Sequence, residues 1–419
     1  MEPSSPADAA PAPELAPPPR HPLAVPHFRN LWIGFSISLL GDQFYLVALP
    51  WLVLQLTGSS LALGTLLMVA GIPRAALMLV GGAVIDRFSA RRVIMTTATL
   101  RTVLVGTVAA LLWFDVIALW HLYVLTFAFG IADAFSFPAG PALIPTLIEP
   151  RQLQPANALL QTSTVMAQMI GPAPAGVLIR AWGTAAALAF DAVSFLGVLL
   201  ALSRIPDPPK TPPVPGAAAR PSMLHAIAEG LRAVRDDHPL RSLMFVFATI
   251  NLCVTGPIGV GLAAMAKFTF GSAAAFGTLL SCFSAGTLAG VLAGGLVKRP
   301  RKRGLQFTVM SALCGLELVG IGLVPRFAAV AALLVLMGLG VGFVNVQFAA
   351  WMQMRVERAL IGRVMSVMMF SAVGLMPVSY AIAGVLAQWN LSGMFLVAGG
   401  ALTLASLVAL TGKAARHID

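Results

Sequence analysis

The chain has 419 residues, of which 58% are hydrophobic and only 10% charged, against about 45–50% and about 25% in soluble domains. No soluble core of this size hides that much apolar surface, so lipid is the expected solvent, and the long unbroken apolar runs exclude the alternating pattern of a barrel strand. The net charge of +11 does not point to nucleic acid, because the basic residues sit beside the apolar runs.

Residues 1–28, rich in Pro and Ala and without a cationic stretch ahead of a short apolar core, read as a disordered cytoplasmic tail and not as a signal peptide. Apolar segments follow at 30–56, 61–85, 93–114, 117–147, 157–179 and 184–203, each near the roughly 20 residues that cross a hydrocarbon core. They form an N-terminal six-helix bundle over 29–203. Residues 204–221 are crowded with proline, and 222–237 place Met223, Leu224, Ile227, Leu231 and Val234 on one helical side. The stretch 204–239 is therefore a cytoplasmic linker with an amphipathic helix on the membrane surface. Segments at 240–266, 273–297, 305–324, 327–354, 364–387 and 391–411 make a second six-helix bundle over 240–412, and 413–419 is a cytoplasmic tail.

The two halves share a plan. Leu63-Gly-Thr-Leu-Leu leads to Gly81-Gly82, and Phe276-Gly-Thr-Leu-Leu leads to Gly294-Gly295, with a basic cluster after each. With twelve spans, Arg180, Lys267 and Arg326 fall on one side, Arg74 and Arg101 lie within spans, and the rest of the 27 Lys and Arg residues fall on the side of the termini. Cationic loops stay in the cytoplasm, so both termini are expected there. Cys253, Cys282 and Cys314 lie inside apolar runs and read as small buried hydrophobes. The six histidines have no spacing of a ligand set, and no Gly-x-x-x-x-Gly-Lys motif is present, so no metal, nucleotide or other cofactor is expected.

Six spans, a linker and six more, with a repeat between the halves, resemble the major facilitator superfamily over nearly all the chain after residue 28. The family's signature after span two is matched by Gly82, Asp86, Arg87, Arg91 and Arg92. Ala90 stands where many relatives carry another arginine, and Arg299 stands where the second-half counterpart of Asp86 would be. Ala167, Gly171, Pro172, Ala175 and Gly176 resemble the antiporter motif of span five, which implies export. The stretches Leu-Leu-Gly-Asp-Gln at 39–43, Leu-Pro-Trp at 49–51, Leu-Thr-Gly-Ser at 56–59 and Pro-Ala-Asn-Ala-Leu at 155–159 are similar to the drug:proton antiporter branch that includes macrolide efflux proteins and enterobactin exporters. The resemblance implies an all-α integral membrane fold of twelve transmembrane helices in two pseudo-symmetric six-helix bundles. It also implies a multi-pass protein of the bacterial cytoplasmic membrane, with Asp86 as a gate latch. The plainer reading of Asp86 is a charge that ends a helix and fixes topology.

Asp42 and Asp133 lie near mid-depth in spans one and four, where an unpaired carboxylate costs several kcal/mol. Each is expected to carry protons or substrate charge, or else to form a structural ion pair, with Arg74 and Arg101 as the available partners. Arg101 has snorkelling to the interface as its alternative. Asp191 and Glu317 are placed nearer the outer leaflet, with contact to water as their plain reading. Gly286, Gly290 and Gly294 in span eight and Gly338, Gly340 and Gly342 in span ten read as close helix packing, while Gly171 with Pro172 can shape a cavity or seal a proton path. Of Met68, Phe127, Phe135, Phe137, Met166, Met169, Phe247, Met369 and Met376, about a third are expected to touch a ligand.

The leading expectation is a proton-coupled exporter of small amphipathic molecules, acting as a monomer and not as an enzyme. Its partners are a small-molecule substrate, protons and the lipid bilayer. The rival within transport is a dedicated exporter of one siderophore, lipid or other metabolite, in which an anionic cargo would use Arg74 and Arg101. A non-transporting receptor is the third reading.

Overall fold

A computed structural model describes residues 21–206, 237–297, 303–355 and 371–411, with Arg232, Arg235, Met368 and Met369; at 79–83, 85–87, 238–239, 243, 303, 353, 355 and 411 it describes the backbone alone. The expected tails, most of the proline-rich linker with its surface helix, and the basic cluster at 298–302 lie outside the described residues. The helices are α1 Pro26–Thr57, α2 Ser60–Arg87, α3 Ala90–Trp113, α4 Leu119–Leu143, α5 Leu153–Ile170 and α6 Pro172–Ser203 in the first half. The second half holds α7 His238–Gly256, α8 Leu262–Phe268, α9 Ala273–Leu296, α10 Arg303–Leu323, α11 Phe327–Arg355, α12 Met376–Trp389 and α13 Leu391–Thr411.

Local chemistry sets the ends of these helices. Pro26 opens α1 with a φ already suited to a first turn. Phe28, 1% exposed, packs with Ile144, Ile148 and Ala156, so residue 28, the last of the expected tail, already belongs to the packing of α1. Gly58 closes α1 in the left-handed conformation at φ 62°. Ser59 then caps α2, its hydroxyl accepting from the Ala62 N–H at 3.1 Å. A hairpin this short forces α1 and α2 to run antiparallel.

Eleven stretches of the described chain are long and apolar enough to cross a membrane. The twelfth crossing is hidden by how spans five and six join. The Gly171 N–H still donates to the Ala167 carbonyl at 2.8 Å, so α5 runs on through the first turns of α6. The chain then breaks at Gly183, whose φ of 82° and ψ of 170° are not helical, and the remainder of α6 crosses back. Span seven is interrupted as well: Pro257 lacks an N–H, and Pro257–Gly261 forms a π-helical turn between α7 and α8. All regular elements among the described residues are helices, and the protein is an all-α membrane protein.

Within each half, small residues let backbones meet. On α1, Gly34 lies against the Gly197 carbonyl of α6, and Gly41 against Ser194. In the second half, Gly286, Gly290, Gly338 and Gly342 interlock α9 with α11, each facing a backbone carbonyl of the other helix, as their spacing predicts.

Candidate functional site

Each of the first four helices carries one charge within its apolar run, and the bundle brings all four together. Arg74 on α2 pairs through Nε with Asp133 Oδ2 on α4 at 3.0 Å. Arg101 on α3 donates from Nη2 to Asp133 Oδ1 at 2.9 Å and reaches Asp42 Oδ1 on α1 at 3.5 Å. Asp133 is thus clamped by two guanidinium groups, and Arg101 bridges two carboxylates. Arg101 does not snorkel: its side chain is only 13% exposed, and its guanidinium carbon lies 4.5 Å from the Phe129 ring centroid and 4.9 Å from that of Phe195. Such stacking suits a desolvated arginine.

Asp42 and Arg74 keep 30% and 36% of their side chains exposed, and both line a cavity of about 500 Å³ with Asp133, Arg101, Gln43, Tyr45, Ser136 and Gln168. A second cavity of about 460 Å³ lies in the other half, lined by Phe247, Ile250, Val254, Phe283, Val341 and Val344, with Asn251, Thr255, Ser311 and Asn345 as its polar groups. Leu46, Leu67 and Tyr380 line both, so the two are lobes of one central space, charged on one wall and apolar on the other. Of the soft and aromatic side chains singled out from the sequence, Phe137, Phe247 and Met376 line this space.

Asp191 was expected near the outer leaflet and in reach of water, and the structure corrects this. It is 0% exposed, packed onto α1 at Gly41, next to Asp42. The helix register of α6 against α1 was not visible in the apolar run alone. The signal that could have located it is the seven-residue spacing of Gly34 and Gly41, which marks the face of α1 that receives Ser194 and Gly197. Glu317 is half-buried on α10 and lines neither lobe.

The space is closed at the end of the bundle that holds the α1–α2 turn. Gly64 of α2 lies against the Tyr380 carbonyl and Gly384 of α12, and Gly277 of α9 lies against the Pro172 carbonyl and Gly176 of α6. The Ser59 hydroxyl donates to Gln388 Oε1 at 2.9 Å, and the Leu61 N–H donates to the same oxygen at 3.2 Å. The Ala173 N–H donates to Ser281 Oγ at 3.1 Å, and Lys267 Nζ sits 4.8 Å from the Trp51 ring centroid. Gly64 and Gly277 are the glycines of the repeated Gly-Thr-Leu-Leu text. Their partners carry a second repeat that the sequence reading missed: Ala-Gly-Val-Leu at 175–178 and again at 383–386.

The antiporter-like motif therefore has two faces. Ala167 is buried, and Gly171 admits the Gln43 side chain of α1, since a Cβ there would lie 2.7 Å from it. Pro172, Ala175 and Gly176 face the closed end, where Ala175 is fully buried. Gly82, Asp86 and Arg87 fall in the last turns of α2, and their side chains lie outside the described residues. Arg91 donates from Nε to the Leu202 carbonyl of α6 at 3.0 Å. Arg92 takes the Ser89 cap on its backbone N–H at 3.3 Å and lines a side cavity with Phe88 and Phe135. The four central charges thus meet in one cluster; of the antiporter-like stretch, Gly171 borders that lobe through Gln43, while Arg91 and Arg92 lie elsewhere.

An all-helical membrane protein whose two halves enclose a central space closed at one end is built as a solute transporter. The sequence profile of the Major Facilitator Superfamily matches residues 31–379, and the chain belongs to that superfamily: it is a transporter and not an enzyme. It is 25% identical over 400 residues to macrolide efflux protein A of Streptococcus pyogenes, covering 94% of this chain and 97% of that protein. It is 27% identical over 417 residues to the multidrug efflux pump Tap of Mycolicibacterium fortuitum, covering 96% and 98%. Among solved structures, a bacterial homologue of the iron transporter ferroportin in an inward-facing state aligns with a TM-score of 0.69 at 18% identity, over 92% of this chain and 98% of that one. The nucleoside transporter NupG aligns with a TM-score of 0.69 at 13% identity, over 92% and 98%. At such identities the structural likeness speaks for the fold alone.

Proposed function

We propose that this transporter exports small amphipathic molecules across the bacterial cytoplasmic membrane by alternating access, driven by proton antiport. The observation that carries this reading is the polarised central space, with ionisable Asp42 and Arg74 on one wall and an uncharged, largely apolar lobe on the other. The apolar lobe takes the body of a substrate, and the charged lobe takes its polar group and exchanges it for a proton. The names of the two efflux relatives support the outward direction.

In this reading the bundles 29–203 and 240–412 rock about the central site as a monomer, joined by the cytoplasmic linker 204–239. With both termini cytoplasmic, the closed end is the outer end, and the conformation faces inward. A proton passing through Asp42 on its way to water frees Arg101 to serve Asp133 alone, and substrate bound beside Asp42 drives that proton out. Gly82, Asp86, Arg87, Arg91 and Arg92 then form the cytoplasmic latch of the alternative, outward-facing state. The Arg74 guanidinium, 36% exposed to the space, favours a second reading, a dedicated exporter of one anionic metabolite such as a siderophore.

Accumulation of a panel of dyes, macrolides and siderophores in cells with and without the protein, repeated with a protonophore, tests both. Protein-dependent exclusion of several unrelated compounds, abolished by the protonophore, is the expected result. Exclusion of one anionic compound alone supports the second reading, and exclusion that survives the protonophore refutes proton coupling.

A further inference from the structure

Among the described residues, the core of the first half holds three carboxylates, Asp42, Asp133 and Asp191, against two guanidinium groups, Arg74 and Arg101. Asp133 takes one contact from each arginine, and Arg101 also reaches Asp42. Asp191 receives nothing: it is 0% exposed, and neither carboxylate oxygen has a hydrogen-bond partner among the described residues. Its Oδ1 presses on α1, 2.8 Å from where a Cβ on Gly41 would stand. The nearby Ser194 hydroxyl is turned away, donating to the Asp191 backbone carbonyl at 2.7 Å. The charged and titratable groups close enough to act on it electrostatically are Asp42 and Tyr45 on α1 and Arg101 on α3.

A bare carboxylate without a donor, beside a second acid and out of water, costs several kcal/mol. Three acids and two arginines reach neutrality with one proton. We propose that Asp191 is a proton-binding site and the resting holder of that single exchangeable proton. On release, the O–H bond of Asp191 breaks and the proton passes to the Asp42 carboxylate, which lines the central space, and from there to water. Arg101 then turns from Asp42 toward the newly charged Asp191. The cluster is left with one net negative charge, which suits a substrate bearing one cationic group. The use of this proton in transport rests on the antiport reading above; its location does not.

The test is infrared spectroscopy of the full-length purified protein at neutral pH, with all aspartates carbon-13 labelled at the carboxyl. The expected wild-type spectrum contains a protonated-carboxyl C=O band that shifts with the label, which separates it from Glu317. Asp42→Glu keeps that labelled band. Asp191→Glu loses it, because the proton then sits on an unlabelled glutamate. Absence of a labelled band in the wild type overturns the proposal, as does its survival in Asp191→Glu or its loss in Asp42→Glu. Either variant decides if the other fails to fold. A labelled band assigned to Asp191 in a protein whose transport ignores a pH gradient leaves the site standing and removes the antiport reading.

Discussion

Replacing Arg101 by methionine keeps the length of the side chain and removes the charge that bridges two acids. Asp133 then retains only Arg74 at 3.0 Å, and Asp42 loses its 3.5 Å partner. The stacking on Phe129 and Phe195 is partly preserved by the thioether, so the loss is mainly electrostatic. Removing one member of a buried ion pair costs about 3–5 kcal/mol, and Arg101→Met should destabilise the protein by an amount in that range. Adding Asp42→Asn restores the charge count around the remaining Arg74–Asp133 pair. The double variant should therefore be more stable than the sum of the single effects by roughly 1–3 kcal/mol, as residues of one network behave. Denaturant unfolding of the four proteins in detergent gives the cycle. Additivity within about 0.5 kcal/mol would show that Arg101 and Asp42 do not form an energetic unit, and the reasoning about the cluster would fail.

Three further outcomes follow from the same geometry. Gly277→Val drives side-chain atoms into the Pro172 carbonyl; overpacking of about 1–3 kcal/mol moves the equilibrium away from the closed end by roughly fivefold to 150-fold, read as a lengthened spin-label distance between Leu61 and Trp389. An unchanged distance distribution would contradict it. Lys267→Met removes the cation beside Trp51, worth about 0.5–2 kcal/mol, and should produce a smaller shift of the same sign in the same measurement. Asn251→Leu with Asn345→Leu removes both side-chain amides from the apolar lobe and leaves Thr255, Ser311 and Tyr380 as its polar groups, and affinity for substrates with polar substituents should fall roughly 2–10-fold per lost hydrogen bond while apolar substrates are unaffected. Equal losses for both classes would argue that the lobe does not contact substrate.

Much of the fold was legible because a bilayer leaves a chain few choices. Apolar runs of the required length, the proline-rich break and the side bias of Lys and Arg dictate twelve crossings, and only the Gly183 break and the proline at Pro172 blur the count. The meeting of Arg74, Arg101, Asp42 and Asp133 was legible for a related reason, since charges in hydrocarbon must find one another. Their actual pairing was not, because nothing in one sequence says which arginine reaches which acid. Asp191 was misjudged because depth along a helix depends on how α6 registers against α1, which Gly34 and Gly41 set. The inter-half contacts escaped notice because small residues signal packing without naming a partner; Gly64 and Gly277 stood in a recognised repeat, but Gly176 and Gly384 lay in one that went unread.

The most direct test of the account is transport by purified protein in liposomes, with an imposed pH gradient as the sole energy source and a lipophilic dye as the reporter substrate. Wild-type protein should concentrate the dye against its own gradient and dissipate the pH gradient as it does so, whereas Asp42→Asn should only equilibrate the dye across the membrane. Equal uphill movement by both proteins, or wild-type movement indifferent to the direction of the pH gradient, would contradict the claim that the buried charge cluster couples protons to export.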